Sequence, residues 1–144
     1  MAFENPAREQ IKSVLENAGN IAVVGLSDDP SKTSHQVAAA MQAKGYRIIP
    51  VNPNAESVLG EKSYASLKDI PEPVDIVNVF RRPEHTPAIA EEAVAIGAKV
   101  LWLQLGIVNE EAAEIARKGG LLVIMDRCIK VEDSILLPGG RAKR

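Results

Sequence analysis

IAVVGLSDDPSKTSHQVAAAMQAKGYRIIPVNPN, residues 21–54, decides the fold. Residues 21–25, IAVVG, are apolar without alternation, as in a strand covered on both faces. A loop of turn-formers, residues 26–34, follows. From Ser34 to about Lys44 the apolar residues Val37, Ala38 and Met41 recur at helical spacing, and Gly45 ends the helix. Residues 46–51, YRIIPV, return to strand, with Pro50 marking an edge-like or terminal place because proline cannot donate to a ladder. A strand, a helix and a strand in this order make a parallel pair with a crossover, which is right-handed almost by rule.

The unit repeats outward. Upstream, residues 5–19 form a helix with Asn5 as N-cap, Pro6 at the first helical position, and Ile11, Val14, Leu15 and Ala18 on one face. Downstream, residues 52–73 are irregular, with one helical turn at 66–69. Strands follow at 74–80 (VDIVNVF), 99–106 (KVLWLQLG) and 121–126 (LLVIMD). Helices fill 83–96 and 109–118, the second capped by Asn109 with Glu110 and Glu111 in its first turn. A short helix precedes Pro138. The expected fold is α/β: a Rossmann-like, doubly wound parallel sheet of about five strands with helices on both faces. Residues 1–138 make one domain, and 139–144, GGRAKR, a disordered tail.

The bulk composition narrows the function classes. The chain has 144 residues, which suits one domain. Apolar residues make up 46%, enough for a core, and charged residues 25%, so the chain is not disordered. A net charge of -2 argues against a nucleic-acid binder, which needs a basic surface. Cys128 is the single cysteine, which suits a reducing cytosol. The N-terminus lacks the features of a signal peptide, and no apolar run nears the ~20 residues of a membrane span. A cytoplasmic protein without a membrane partner is expected.

An open parallel sheet binds its ligands at the carboxyl ends of its strands, near the point where strand order reverses. Five loops begin there, at Gly25, Asn52, Arg81, Gln104 and Asp126. In the first, Gly25 permits close backbone approach, Ser27 and Ser34 offer hydroxyls, Lys32 a point charge, and the next helix its free N–H groups. An ordinary turn with a solvated lysine fits equally well. The loop has neither the G-x-G-x-x-G fingerprint nor a Walker A sequence. In the second loop, Asn52 and Asn54 stand where an NAD enzyme carries an acidic residue, which counts against NAD. Asn52 and Pro53 make a rigid turn that either walls an adenine slot or serves only the backbone. Arg81 and Arg82 offer planar donor forks suited to phosphate, although such a pair is often solvated surface. Gln104 could hydrogen-bond an amide, and Gly106 lets a backbone come close. Trp102 belongs to the core. His35 and His85 make no metal pair, and no metal site is expected. Cys128 reads as a small packed residue; its role, like that of His35, stays open.

With those loops in view, the chain resembles the small stand-alone CoA-binding proteins of bacteria and archaea. It resembles more distantly the N-terminal domain of the succinyl-CoA synthetase alpha subunit. The shared pattern runs through IAVVGLSDDPSKTSHQVA, GYRIIPVNPN, GEKSYASLKDIPEPVDIVNVFR, GAKVLWLQLGI and MDRC, from Ile21 to Cys128. The resemblance implies coenzyme A or an acyl-CoA as ligand. It implies that the loop holding Gly25, Leu26, Ser27, Pro30, Lys32 and Ser34 grips the pyrophosphate region. Asn52 and Pro53 would border the adenosine end. Phe80, Arg81 and Arg82 would flank the ligand after the third strand, and Gln104 and Gly106 would lie toward the pantetheine. The synthetase subunit has a second domain with a phosphorylated histidine, for which this chain has no counterpart, so its acyl phosphate chemistry is not expected here. A non-catalytic carrier or sensor with no catalytic residues is the first expectation. A nicotinamide-dependent oxidoreductase, an acyl-CoA-using transferase and a ligand-regulated interaction subunit are the alternatives. A homodimer is possible.

Overall fold

The computed structural model describes residues 3–140. Five parallel strands form one sheet: β1 (Asn20–Val24), β2 (Arg47–Val51), β5 (Ile76–Val79), β6 (Val100–Leu103) and β7 (Leu122–Ile124). Their spatial order is β2-β1-β5-β6-β7. The register aligns Val24 with Val51 on one side and with Val79 on the other. The chain leaves β1 to one side for β2, then crosses back to β5, so the reversal lies between β1 and β5. The α/β expectation holds, and β2, with Pro50, is an edge strand.

Every strand is apolar because both its faces are covered. Ile21, Val23, Ile76, Val100, Trp102 and Ile124 pack on one face, against Ile11 and Leu15 of α1 (Arg8–Asn17), Val37 and Met41 of α2 (Thr33–Ala43) and Ile129 of α5 (Ile129–Leu136). Ala22, Val77, Val79, Leu101, Leu103 and Val123 pack on the other face, against α3 (Thr86–Ala95) and α4 (Glu110–Lys118). Between α3 and α4 the buried residues Ala90, Ala93, Ala112, Ala113 and Ala116 are small, which lets the two helices approach closely. A Cβ at Gly119 would collide with Val94.

Three local differences from the sequence reading have physical causes. The N-cap of α1 is Ala7, not Asn5. Asn5 instead donates from Nδ2 to the Met125 carbonyl at 2.8 Å and accepts from the Met125 N–H at 2.8 Å. Its amide thus stands where a sixth strand's peptide would stand on β7. Second, residues 52–73 hold a small hairpin, β3 (Ser57–Val58) with β4 (Glu61–Lys62). Its turn residues Leu59 and Gly60 both have positive φ, 56° and 77°. Leu59 is an unusual residue for that conformation, so no turn signal announced it. Third, β5, β6 and β7 are shorter than read, since residues at both of their ends leave the ladder to build loops, whereas β1 and β2 lie within one residue of the reading. The helical turn expected at 66–69 is a 3₁₀ turn, Leu67–Asp69, and a second such turn, Pro83–His85, leads into α3. Of the expected tail, residues 141–144 lie outside the described residues, while Gly140 closes a turn by donating to the Leu137 carbonyl at 2.9 Å. Among the described residues no helix is long and apolar enough to cross a membrane.

Candidate functional site at the carboxyl edge of the sheet

The loops after β1 and β5 meet at the strand-order reversal. Gly25 has φ +87°, and a Cβ there would stand 2.6 Å from the Phe80 carbonyl oxygen and 3.0 Å from Arg81 Cδ. Its glycine is therefore required first by the neighbouring strand's own backbone. Phe80 donates its N–H to the Val24 carbonyl at 2.9 Å, which locks the two loops together. Leu26 is fully buried.

Beyond Leu26 the first loop is shaped by its own side chains. The Ser27 N–H donates to Ser34 Oγ at 3.0 Å, and Ser27 Oγ accepts from the Asp29 N–H at 3.0 Å. His35 Nδ1 lies 2.9 Å from the Ser27 carbonyl. Asp29 accepts from the Ser31 N–H at 2.9 Å and the Ser31 hydroxyl at 2.8 Å. The Ser31 N–H and then its hydroxyl hold the Asp29 carboxyl below the usual carboxylate range. Pro30 is exposed. Lys32 is the N-cap of α2 and makes no side-chain cap, so the first-turn N–H groups of α2 have no capping side chain there.

Asn52 ties the second loop to the first: its Nδ2 donates to the Leu26 carbonyl at 2.9 Å, while its Oδ1 accepts the Asn54 N–H at 2.8 Å. Pro53 is exposed on the resulting turn. Arg81 and Arg82 are exposed. Among the described residues, Lys32, Arg81 and Arg82 take part in none of the ion pairs. Three exposed cations and an uncapped helix start thus lie on the loops at the carboxyl edge, groups of the kind that suit phosphate oxygens. The carboxylates of Asp28, Asp29 and Glu84 lie in the same loops.

The loops after β6 and β7 form a second, tightly bonded group. Gln104 is 5% exposed, and its Oε1 accepts from the Ile129 N–H at 3.3 Å and from Asn78 Nδ2 at 3.4 Å. Gly106 has φ +86°, with no atom within 4 Å of where a Cβ would stand. Its N–H donates to Asp126 Oδ1 at 2.7 Å. Trp102, fully buried, donates from Nε1 to the Arg127 carbonyl at 2.9 Å and belongs to the core, as expected. Cys128 is half-buried at the N-cap of α5. The thirteen residues singled out in the sequence therefore divide between the two groups. Gly25, Leu26, Ser27, Pro30, Lys32, Ser34, Asn52, Pro53, Phe80, Arg81 and Arg82 surround the reversal point. Gln104 and Gly106 lie in the β6 loop. The sequence reading named Asp126 only as the start of the fifth loop, and gave neither it nor Asn78 and Arg127 a role in the site. No group of three or more metal-ligating residues is found among the described residues.

Comparison with known proteins agrees with this fold. A family model described as a CoA binding domain matches residues 19–134. The chain is 52% identical over 133 residues to the Bacillus subtilis protein named Uncharacterized protein YneT, covering 92% of this chain and 98% of that one. It is 30% identical over 126 residues to the alpha subunit of a Pyrococcus furiosus acetate–CoA ligase (ADP-forming) II. That match covers 80% of this chain but only 28% of the ligase subunit. A solved structure of a hypothetical protein from Pyrococcus horikoshii OT3 superposes with a TM-score of 0.89 at 36% identity, covering 95% of this chain and 99% of that one. By the match over residues 19–134 and the relatives beside it, the chain belongs to the CoA-binding domain family.

Proposed function

We propose that this protein binds coenzyme A or an acyl-CoA across the carboxyl edge of its sheet and acts as a non-catalytic carrier or sensor. One observation carries the reading: Lys32 at the uncapped start of α2, and Arg81 and Arg82 on the β5 loop that packs over Gly25, are not ion-paired among the described residues and lie on the loops at the strand-order reversal. Coenzyme A carries a pyrophosphate, a 3′-phosphate and a thin neutral arm. The cationic group suits the phosphates, and the open space over Gly106 suits the arm. The ligase relative supports the choice of ligand, since its name includes CoA. The non-catalytic half of the reading is argued from the sequence, which offers no nucleophile and base beyond Cys128 and His35. His35 engages the Ser27 carbonyl through Nδ1, and no hydrogen bond joins it to Cys128 among the described residues.

The test is calorimetric titration of ligand-stripped protein with coenzyme A, 3′-dephospho-CoA, NAD and NADP. Coenzyme A is expected to bind, the dephospho form more weakly because a basic group loses its 3′-phosphate, and NAD and NADP not at all. Binding of NAD or NADP in place of coenzyme A would overturn the reading in favour of an oxidoreductase.

A further inference from the structure

The turn joining β7 to α5 is pinned almost residue by residue. Asn5 holds both backbone groups of Met125, Gly106 donates to Asp126, Trp102 donates to the Arg127 carbonyl, and Gln104 accepts from Ile129. Two of those four partners, Gln104 and Gly106, belong to the β6 loop. The turn is therefore the template on which the β6 loop is set.

Asp126 is the one residue of this turn that pays a backbone cost. Its φ is +58°, in the left-handed region that a residue bearing a Cβ enters at a penalty. Such strain persists where the surroundings over-determine it, commonly at functional sites. At Asp126 the conformation coincides with the tether: Oδ1 accepts the Gly106 N–H at 2.7 Å, the shortest class of charge-assisted hydrogen bond to a backbone donor. That single bond spans two strand ends and turns the Gly106 amide toward β7. The side of Gly106 where a Cβ would stand is left open.

We propose that Asp126 is a positioning residue: by tethering Gly106 it sets the β6 loop in the shape that receives the pantetheine arm. The inference rests on the coenzyme A reading and adds to it a residue that acts through Gly106. The β1 and β5 loops take the phosphates. The Asp126-tethered β6 loop takes the arm.

Two substitutions separate the tether from the fold. Asp126→Gly keeps the left-handed backbone without cost and removes the acceptor. Asp126→Asn keeps an acceptor oxygen and tolerates the same backbone. Full-length proteins are titrated with coenzyme A, pantetheine and adenosine 3′,5′-bisphosphate, and amide exchange of Gly106 is followed by NMR without ligand. In Asp126→Gly, Gly106 exchange is expected to accelerate. Coenzyme A and pantetheine affinity should fall about tenfold, the scale of one hydrogen bond to a charged group. The bisphosphate should bind as in wild type, and Asp126→Asn should recover most of the loss. An equal loss for all three ligands means a merely structural role and overturns the inference, as does coenzyme A affinity that does not change. Wild-type protein that ignores coenzyme A overturns the binding reading itself, and this inference with it. That result is distinct from a wild type that binds and a glycine variant that binds equally well.

Discussion

Arg81 leans its Cδ over the backbone of Gly25, so one side chain links the β5 loop to the loop after β1. Its guanidinium is exposed and has no carboxylate partner among the described residues. A planar fork of donors left free at the reversal point is suited to a phosphate rather than to the fold. Arg81→Ala should therefore weaken coenzyme A binding by one to two orders of magnitude, from about 1.5–3 kcal/mol for a hydrogen bond to a charged group, and leave the melting temperature nearly unchanged. Unaltered affinity in calorimetry would remove Arg81 from the site. Arg81→Lys should recover only part of the loss, because a point charge replaces the fork. At this scale the sequence was legible where a residue type has one strong reason to be present, as with Trp102, read as core and fully buried. It was less legible where a side chain serves the chain itself. Asn52, read as a wall for an adenine slot or as a plain turn, holds the Leu26 carbonyl and its own turn. Gly25 is required by Phe80 before any ligand enters.

Among the elements, helices and strands were readable from apolar spacing, because each strand is buried on both faces and each helix on one. The hairpin of β3 and β4 was not, since each of its strands has two residues and Leu59 hides the turn. The start of α1 was misjudged for a related reason. Asn followed by Pro is a helix-start signal, yet Asn5 reaches 120 positions along the chain to Met125, and no local pattern announces such a contact. The consequence lies at β7, one of the two edges of the sheet. An edge strand exposes unpaired peptide groups, and Asn5 covers those of Met125 with one amide. Asn5→Ala should destabilise the protein by about 1–2 kcal/mol and lower the melting temperature by about 3–8 °C. Asn5→Asp should fall at least as far, because a carboxylate oxygen then confronts the Met125 carbonyl. A melting temperature unchanged in both variants would mean that water serves Met125 as well as Asn5 does. Because Met125 precedes Asp126, Asn5→Ala should also loosen the turn that tethers Gly106.

The whole molecule divides its two ends between two tasks. The carboxyl edge gathers unpaired cations in its loops, while the amino edge is tied together by Asp75. Asp75 Oδ2 accepts the N–H groups of Gly19 at 2.8 Å and Asn20 at 2.9 Å, and Oδ1 lies 3.5 Å from Lys99 Nζ. It thereby joins the starts of β1, β5 and β6. Burial pushes the Asp75 carboxyl up, but the Asn20 and Gly19 N–H groups and the Lys99 charge outweigh it, and the net shift is downward. A carboxyl whose folded pKa is depressed adds stability that is fully present above its unfolded value of about 3.9, and lost as pH falls through the folded value. Glu72 is also lowered, chiefly by its hydrogen bond from Arg47, but among the described residues its carboxylate accepts no strand-start N–H groups, and a surface ion pair of this kind contributes little. Asp75→Ala should cost about 2 kcal/mol at pH 7, since it leaves two strand-start N–H groups without their acceptor. Urea denaturation of wild type and variant across pH 2–7 tests the sign: the stability gap should be constant above about pH 5 and should shrink steadily below about pH 4. A gap that stayed constant to pH 2 would mean that Asp75 acts by shape alone and not by charge. Coenzyme A affinity measured at pH 7 in the same variant should be unaffected, because Asp75 joins strand starts at the edge opposite the loops proposed to hold the phosphates.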